Sequence, residues 1–353
     1  MTAYGLLVSP SHNRVYAQSA AALVKAELAV FSERALDGRV RDIRETSIGG
    51  VPYVTFTADE LSEQDVRLLS NLSSLYALFQ IEDDELLRPV MVQPLDLFGS
   101  DLLTIQKYSG KTNEYFTKLL LNVTAMASGS PMDLVTGRPR VLDPMCGRGT
   151  TLNQAMMYGL DAAGIDIDAK DFDAYAAFIK TWLKNNRVKH QAEIANIRRE
   201  KAVLGRRLHV TLGASKERYK SGETMEITVV NADSLAAGSF FRPASFDLIV
   251  TDAPYGVQHG SRPKGGQPSR RGKPQLSRSP VELLAAAVPE WAALLRPGGA
   301  VGISWNTYVG RREDLADILA SSGLEVQDSE AYRGFRHRVD QAITRDLITA
   351  RKP

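Results

Sequence analysis

The chain reads as a doubly wound α/β protein, a mostly parallel Rossmann-like sheet preceded by a smaller N-terminal α/β domain. Three observations predict this. From residue 106 onward, strand-like runs alternate with helix-like ones. Three successive strand-like runs, PRVLD, AAGIDID and EITVVNAD, each end in an acid. The first of them feeds a helix through a Gly-x-Gly turn, CGRG, as nucleotide-binding α/β sheets do.

The bulk properties narrow the class. At 353 residues the length suggests two domains, and 44% hydrophobic with 24% charged residues describes a folded chain rather than a disordered or fibrous one. A net charge of +2 identifies no partner, so local charge clusters must. The single cysteine, Cys146, excludes an intrachain disulfide and fits a reducing compartment. MTAYGLLVSP has no signal-peptide character, and no run approaches the roughly 20 apolar residues of a membrane span. A cytoplasmic location, with no membrane and no metal among the partners, is the expectation.

Residues 1–105 form the N-terminal unit, a candidate for substrate presentation. YGLLVS reads as a strand, and Ser11 is placed to cap a helix through HNRVYAQSAAALVKAELAVF. VPYVTFTAD alternates with the period of a strand, LSEQDVRLLSNL has helical spacing, and LYALFQI and PVMVQ are further strands.

Residues 106–353 carry the nucleotide-type sheet. Within them, Ser279, Pro280 and Glu282 form an N-cap, N1 and capping-box set. Pro289 should kink that helix, and Gly323 should stop the one that begins near Arg311. Two insertions interrupt the alternation. Residues 187–225 exceed what a βα unit needs, are rich in Lys and Arg, and suggest a hairpin ending at KSGE. Residues 257–280, VQHGSRPKGGQPSRRGKPQLSRSP, hold six cations and no acid: Arg262, Lys264, Arg270, Arg271, Lys273 and Arg278. Such a loop has nothing to bury and suits a polyanion.

The acids define a ligand. Gly147 and Gly149 allow close approach of a ligand to the backbone, and the helix entered near Thr150 offers free N–H groups. The third glycine of the dinucleotide fingerprint is missing, and Asp143 would repel a pyrophosphate. Asp143 suits an ammonium instead, Asp166 sits where an acid accepts ribose hydroxyls, and Asp233 can accept from an adenine amino group. An adenosine with a positive, amino-acid-like tail fits all three, and S-adenosylmethionine fits better than NAD or ATP.

The fourth strand, FDLIV, closes on TDAPYG. An exocyclic amine on a flat base is a poor nucleophile, because its lone pair is delocalised into the ring. Asp252 and the carbonyl of Ala253 can accept its hydrogens, Pro254 fixes that carbonyl, and Tyr255 can stack on the base.

DPMCGRGTT, GIDID, NAD and DAPYG together resemble the motifs of the class I S-adenosylmethionine-dependent amino-methyltransferases, whose motifs read DPF-x-G-x-G and [DN]PP[YF]. The resemblance implies a seven-stranded methyltransferase sheet and a cofactor site completed by Pro144, Met145, Ile167 and Ala232. LLRPGG matches that fold's turn before its fifth strand. KYSGKTNEYFTKLLLNV matches its helix over the methionine end, with Phe116, Leu120, Val123 and Ala127 on one apolar face and Asn113 and Phe116 near the cofactor. Met145, Arg148 and Ala253 depart from the common Phe, Ser and Pro.

Within the family, D-x-P-Y-G-V-x-x-G is similar to the tRNA guanine-N2 methyltransferases that carry a THUMP domain. RNA, and tRNA in particular, is therefore favoured over DNA as the partner. The alternatives are a DNA adenine-N6 or cytosine-N4 methyltransferase, a protein glutamine-N5 methyltransferase, and a catalytically silent RNA-binding scaffold. YRGFRHR, residues 332–338, interleaves aromatics with arginine and suits edge-strand protection better than RNA stacking.

Overall fold

The computed structural model describes all residues except 12, 83–85, 200–201 and 255–279. In the N-terminal unit, β1 (Thr2–Val8) leads to α1 (Arg14–Ala35), then β2 (Arg41–Ile48), β3 (Val51–Ala58), α2 (Glu63–Leu69), β4 (Leu75–Glu82) and β5 (Leu86–Val90). The strands form an antiparallel sheet in the order β2-β3-β1-β4-β5. Asn13, not Ser11, caps α1: its side-chain oxygen accepts from the backbone N–H of Val15 and Tyr16. The PVMVQ strand is displaced too, since β5 ends at Val90.

The second unit contains α3 (Asp101–Thr104), α4 (Glu114–Ala127), α5 (Asp133–Thr136), β6 (Val141–Asp143), α6 (Thr150–Met157), β7 (Ala162–Asp166) and α7 (Ala169–Asn185). Then come β8 (His190–Arg199), β9 (Ala202–Leu212), α8 (Lys216–Ser221), β10 (Met225–Asn231) and β11 (Phe246–Asp252). Last are α9 (Pro280–Leu294), β12 (Leu295–Asn306), α10 (Arg312–Ser321), β13 (Glu325–Gln327), β14 (His337–Arg338) and β15 (Thr344–Arg351). No described helix is long and apolar enough to cross a membrane.

The sheet runs β13-β15-β12-β11-β6-β7-β10-β9-β8, with β14 on β15. Strands β12, β11, β6, β7 and β10 are mutually parallel, and β15 runs against β12. The seven strands from β13 to β10 make the methyltransferase-type sheet. The chain leaves β6 to one side for β7 and later to the other for β11, so the switch point lies at the carboxyl end of β6, where such sheets bind ligands.

Two expectations change. The 187–225 insertion does carry a hairpin, but it is β8–β9, which lengthens the sheet edge beyond seven strands through β10. KSGE instead closes α8, with Gly222 at φ 84° as its left-handed cap. YRGFRHR, for which edge-strand protection is favoured over RNA stacking, has Tyr332, Phe335 and His337 buried and pairs His337–Arg338 with β15. Finally, α4 is buried all round rather than on one face, because α1 covers one side and β11, β12 and β15 cover the other.

That sandwiching joins the two units. Buried Glu27 of α1 accepts from the amide and hydroxyl of Ser73 and from Asn122 of α4, at 2.9, 2.6 and 2.7 Å. Asn122 also donates to the Asn71 carbonyl and accepts from the Tyr158 hydroxyl. Arg34 reaches the carbonyls of Met126 and Ser128 at the end of α4. A buried acid with satisfied donors on both sides of a boundary fixes one docking geometry, since any shift would strand its charge.

Candidate active site

The first end of the site is built by backbone. Gly147 and Gly149 adopt φ 49° and 77°, the left-handed region that favours glycine, and a Cβ on Gly149 would run into the Tyr175 ring. Arg148, between them, pairs with Asp171 at 2.9 Å and lies over the Tyr108 ring, whose hydroxyl meets Thr150 at 3.1 Å. These contacts hold the turn in place.

Asp143 ends β6 and is almost fully buried. Thr251 donates to its Oδ1 at 2.8 Å, and so does the amide of Met145 at 3.1 Å. Burial outweighs these bonds and pushes its carboxyl up to about 6. Asp166 ends β7; its two oxygens accept from the amides of Gly147 (2.8 Å) and Asp168 (2.7 Å). Its carboxyl is also raised, chiefly by burial. A carboxylate offers about four lone-pair positions, so these bonds orient Asp166 and leave acceptor capacity for hydroxyls.

Ile167, the next residue, is an apolar side chain left 72% exposed beside that acid. Asn231 ties β10 to this corner by donating to the carbonyls of Asp166 and Ile167. The Ala232 amide bonds the Asp166 carbonyl, and Asp233, exposed, caps the following 3₁₀ turn through the Leu235 amide. The donor set fits S-adenosylmethionine: a buried carboxylate with no cation on it among the described residues for an ammonium, a second acid for vicinal hydroxyls, and an exposed apolar side chain for a ring face.

The other end is built by side chains. Asp252 closes β11, and Ser304, its register neighbour on β12, donates to Oδ1. Thr112, just before α4, donates to Oδ2 at 2.6 Å, and Arg345 of β15 approaches Oδ2 at 3.3 Å. Arg345 is 3% exposed and stacks its guanidinium over Phe116, 4.4 Å from the ring centroid. The Phe116 ring also packs on His337, whose imidazole is pushed down to about 4, first by burial. The Ala253 amide donates to the Ser304 carbonyl, and Pro254 is exposed.

Asn113 therefore acts as the N-cap of α4, and Phe116 is a buried platform beneath Arg345. Tyr255, Arg262, Lys264, Arg270, Arg271, Lys273 and Arg278 lie outside the described residues. Sequence reading missed Thr112, Ser304 and Arg345. A buried arginine in the final strand was the available signal, but nothing local ties it to Asp252.

Residues 133–268 match a family model described as an RMKL-like methyltransferase domain. No curated protein sequence matches the chain. Among solved structures, a putative rRNA methylase from Clostridium thermocellum is similar at 14% identity and TM-score 0.34, covering 61% of this chain and 89% of its own. Magnesium protoporphyrin IX methyltransferase from Synechocystis, with bound S-adenosylmethionine, is similar at 13% and 0.38, covering 70% and 87%. An N-methyltransferase from Bradyrhizobium japonicum gives 13% and 0.37, covering 67% and 94%. The matched segment is similar to a methyltransferase domain, and the donor set described above fits S-adenosylmethionine.

Proposed function

We propose that the protein methylates an exocyclic amino group of a nucleobase in RNA, with guanine N2 of tRNA as the acceptor. The observation that carries this reading is the end of β11. There a carboxylate, held by Ser304, Thr112 and Arg345, stands next to a carbonyl at Ala253, within a methyltransferase domain. In this reading residues 1–105 present the substrate and residues 106–353 perform the transfer.

When bound, S-adenosylmethionine supplies a methyl carbon attached to a positively charged sulfur. Asp143 would hold its ammonium, Asp166 its ribose hydroxyls, and Ile167 and Ala232 its adenine, with Asp233 at the amino edge. Asp252 and the Ala253 carbonyl accept the two hydrogens of the acceptor amine, which draws the nitrogen lone pair out of the ring plane. Arg345, Ser304 and Thr112 fix the direction of the Asp252 carboxylate. Tyr255 stacks on the base. The residues contribute position and electrostatics, which suffice for a displacement whose electrophile is already activated.

RNA is supported by the six cations of the 257–280 loop immediately after the proposed catalytic turn. The test supplies labelled S-adenosylmethionine with total RNA, DNA or protein from one extract. Label should enter RNA, and digestion should release it as N2-methylguanine. Label in DNA or protein instead would overturn the RNA assignment.

A further inference from the structure

Away from the cofactor turn, the outer hairpin and the chain entering β11 enclose a hollow of about 540 Å³. Arg140, Arg207 and Arg242 line it, together with His209, Ser245 and Glu193. Elsewhere the described arginines are commonly matched by acids, as in Arg206–Asp173 and Arg296–Asp247, both at 2.8 Å. No ion pair holds Arg140, Arg207 or Arg242 among the described residues. Nε of Arg207 and the hydroxyl of Ser245 are buried there without a hydrogen-bond partner.

Three guanidinium groups around one hollow, none of them ion-paired among the described residues, leave it strongly positive and suited to an anion. Neighbouring groups are already committed. His209 is fixed between Thr228 (3.1 Å) and Thr211 (3.3 Å), and Arg140 lies over the Phe246 ring at 4.8 Å. Glu193, in register with His209, is a single carboxylate against three guanidinium groups. An anion with several oxygens satisfies the hollow, and guanidinium forks match phosphate.

We infer that this hollow binds backbone phosphate of the nucleic-acid acceptor, as an anchor remote from the reacting base. The identity of the ligand rests on the nucleic-acid reading above. The hollow opens near Ser245, seven residues before Asp252 on β11, or about 23 Å at strand rise. At roughly 3.4 Å per nucleotide along a helical strand, the anchor would contact phosphates about seven nucleotides from the target.

The test uses the full chain with Arg207→Ala/Arg242→Ala and the charge-retaining Arg207→Lys/Arg242→Lys. For a 20-nucleotide RNA, the alanine variant should bind at least about tenfold more weakly. Its log–log salt slope should drop by about 1.4, at roughly 0.7 per lost single-strand phosphate contact. The lysine variant should recover most of both, and S-adenosylmethionine affinity should be unchanged in each. Acceptors reaching fewer than about seven nucleotides from the target should not distinguish alanine variant from wild type. Unchanged affinity and slope in the alanine variant would overturn the anchor.

A second arm, thermal stabilisation by tripolyphosphate, separates the hollow from the functional reading. Stabilisation of wild type that the alanine variant loses supports a phosphate site, even if no nucleic acid accepts methyl. Stabilisation equal in both proteins, or absent from both, overturns it.

Discussion

The two ends of the site treat a carboxylate in opposite ways. Asp143 is buried with only neutral donors, and burial holds its carboxyl near 6. Asp252 is met by the Arg345 guanidinium within the protein itself. On the proposed reading the first acid awaits the ligand's ammonium, which would couple its charge to binding. The second is neutralised before any ligand arrives, so its charge serves orientation rather than affinity. Substitutions should therefore separate along this line, binding at one end and turnover at the other.

The largest effect is expected at Asp252. Asp252→Ala should lower single-turnover methyl transfer by 100-fold or more, with cofactor affinity within about twofold of wild type. It also removes the Asp252 carboxylate from beside the buried Arg345 guanidinium, which should lower stability in denaturant unfolding. The double variant Asp252→Ala/Arg345→Met should regain much of that stability and none of the transfer. A single variant that keeps near-normal turnover would remove Asp252 from the chemistry.

Next is Arg345→Met alone, expected to slow transfer by roughly tenfold. Without the adjacent guanidinium the Asp252 carboxylate loses one of the groups that hold its direction, so turnover at saturating cofactor should fall while S-adenosylmethionine affinity stays within about twofold of wild type. Arg345→Lys should recover part of the rate. A variant with wild-type turnover would make Arg345 a packing residue only.

Asp143→Asn should weaken S-adenosylmethionine binding by about 10–100-fold, the loss of a charge-assisted hydrogen bond. The sign for stability is the reverse. A carboxyl raised to about 6 binds its proton more readily in the folded chain than in the unfolded one. Its charge therefore destabilises the fold above pH 6, and the strain is relieved as pH falls through 6 toward 3.8. The ligand-free Asn variant should melt higher than wild type at pH 7.5 and converge with it near pH 4. Wild-type cofactor affinity, by calorimetry, should fall as pH drops through about 6.

The smallest effect belongs to Ile167→Ser. Losing an apolar contact of about 1 kcal/mol should weaken cofactor binding by about fivefold and leave single-turnover transfer at saturating cofactor unchanged. A slower transfer at saturation would break the separation of the two ends.

The cofactor end was legible because each of its signals is local. A strand-like run ending in an acid announces itself within six residues, and a Gly-x-Gly turn states a backbone requirement that no other residue meets as readily. Asp143, Gly147, Gly149 and Asp166 all stand at the switch point, as the alternation of elements implied. Strand β2, RDIRETSI, escaped notice because it is exposed along most of its length and carries no period-2 apolar pattern.

What the amino-acid sequence determined by itself was the alternation of strands and helices, the glycine turn after β6, and the acids that end β6, β7 and β11, whereas β10 ends at Asn231, two residues before the expected Asp233. These follow from steric and hydrophobic preferences acting over a few residues. What only tertiary structure decided was the company Asp252 keeps. Thr112 lies 140 residues away in sequence, Arg345 93 and Ser304 52. They converge because β12 pairs with β11 and β15 pairs with β12, setting Ser304 beside Asp252 and Arg345 beside Asn306. Register between strands is fixed by the packing of whole sheet faces, so no short stretch of the chain encodes it.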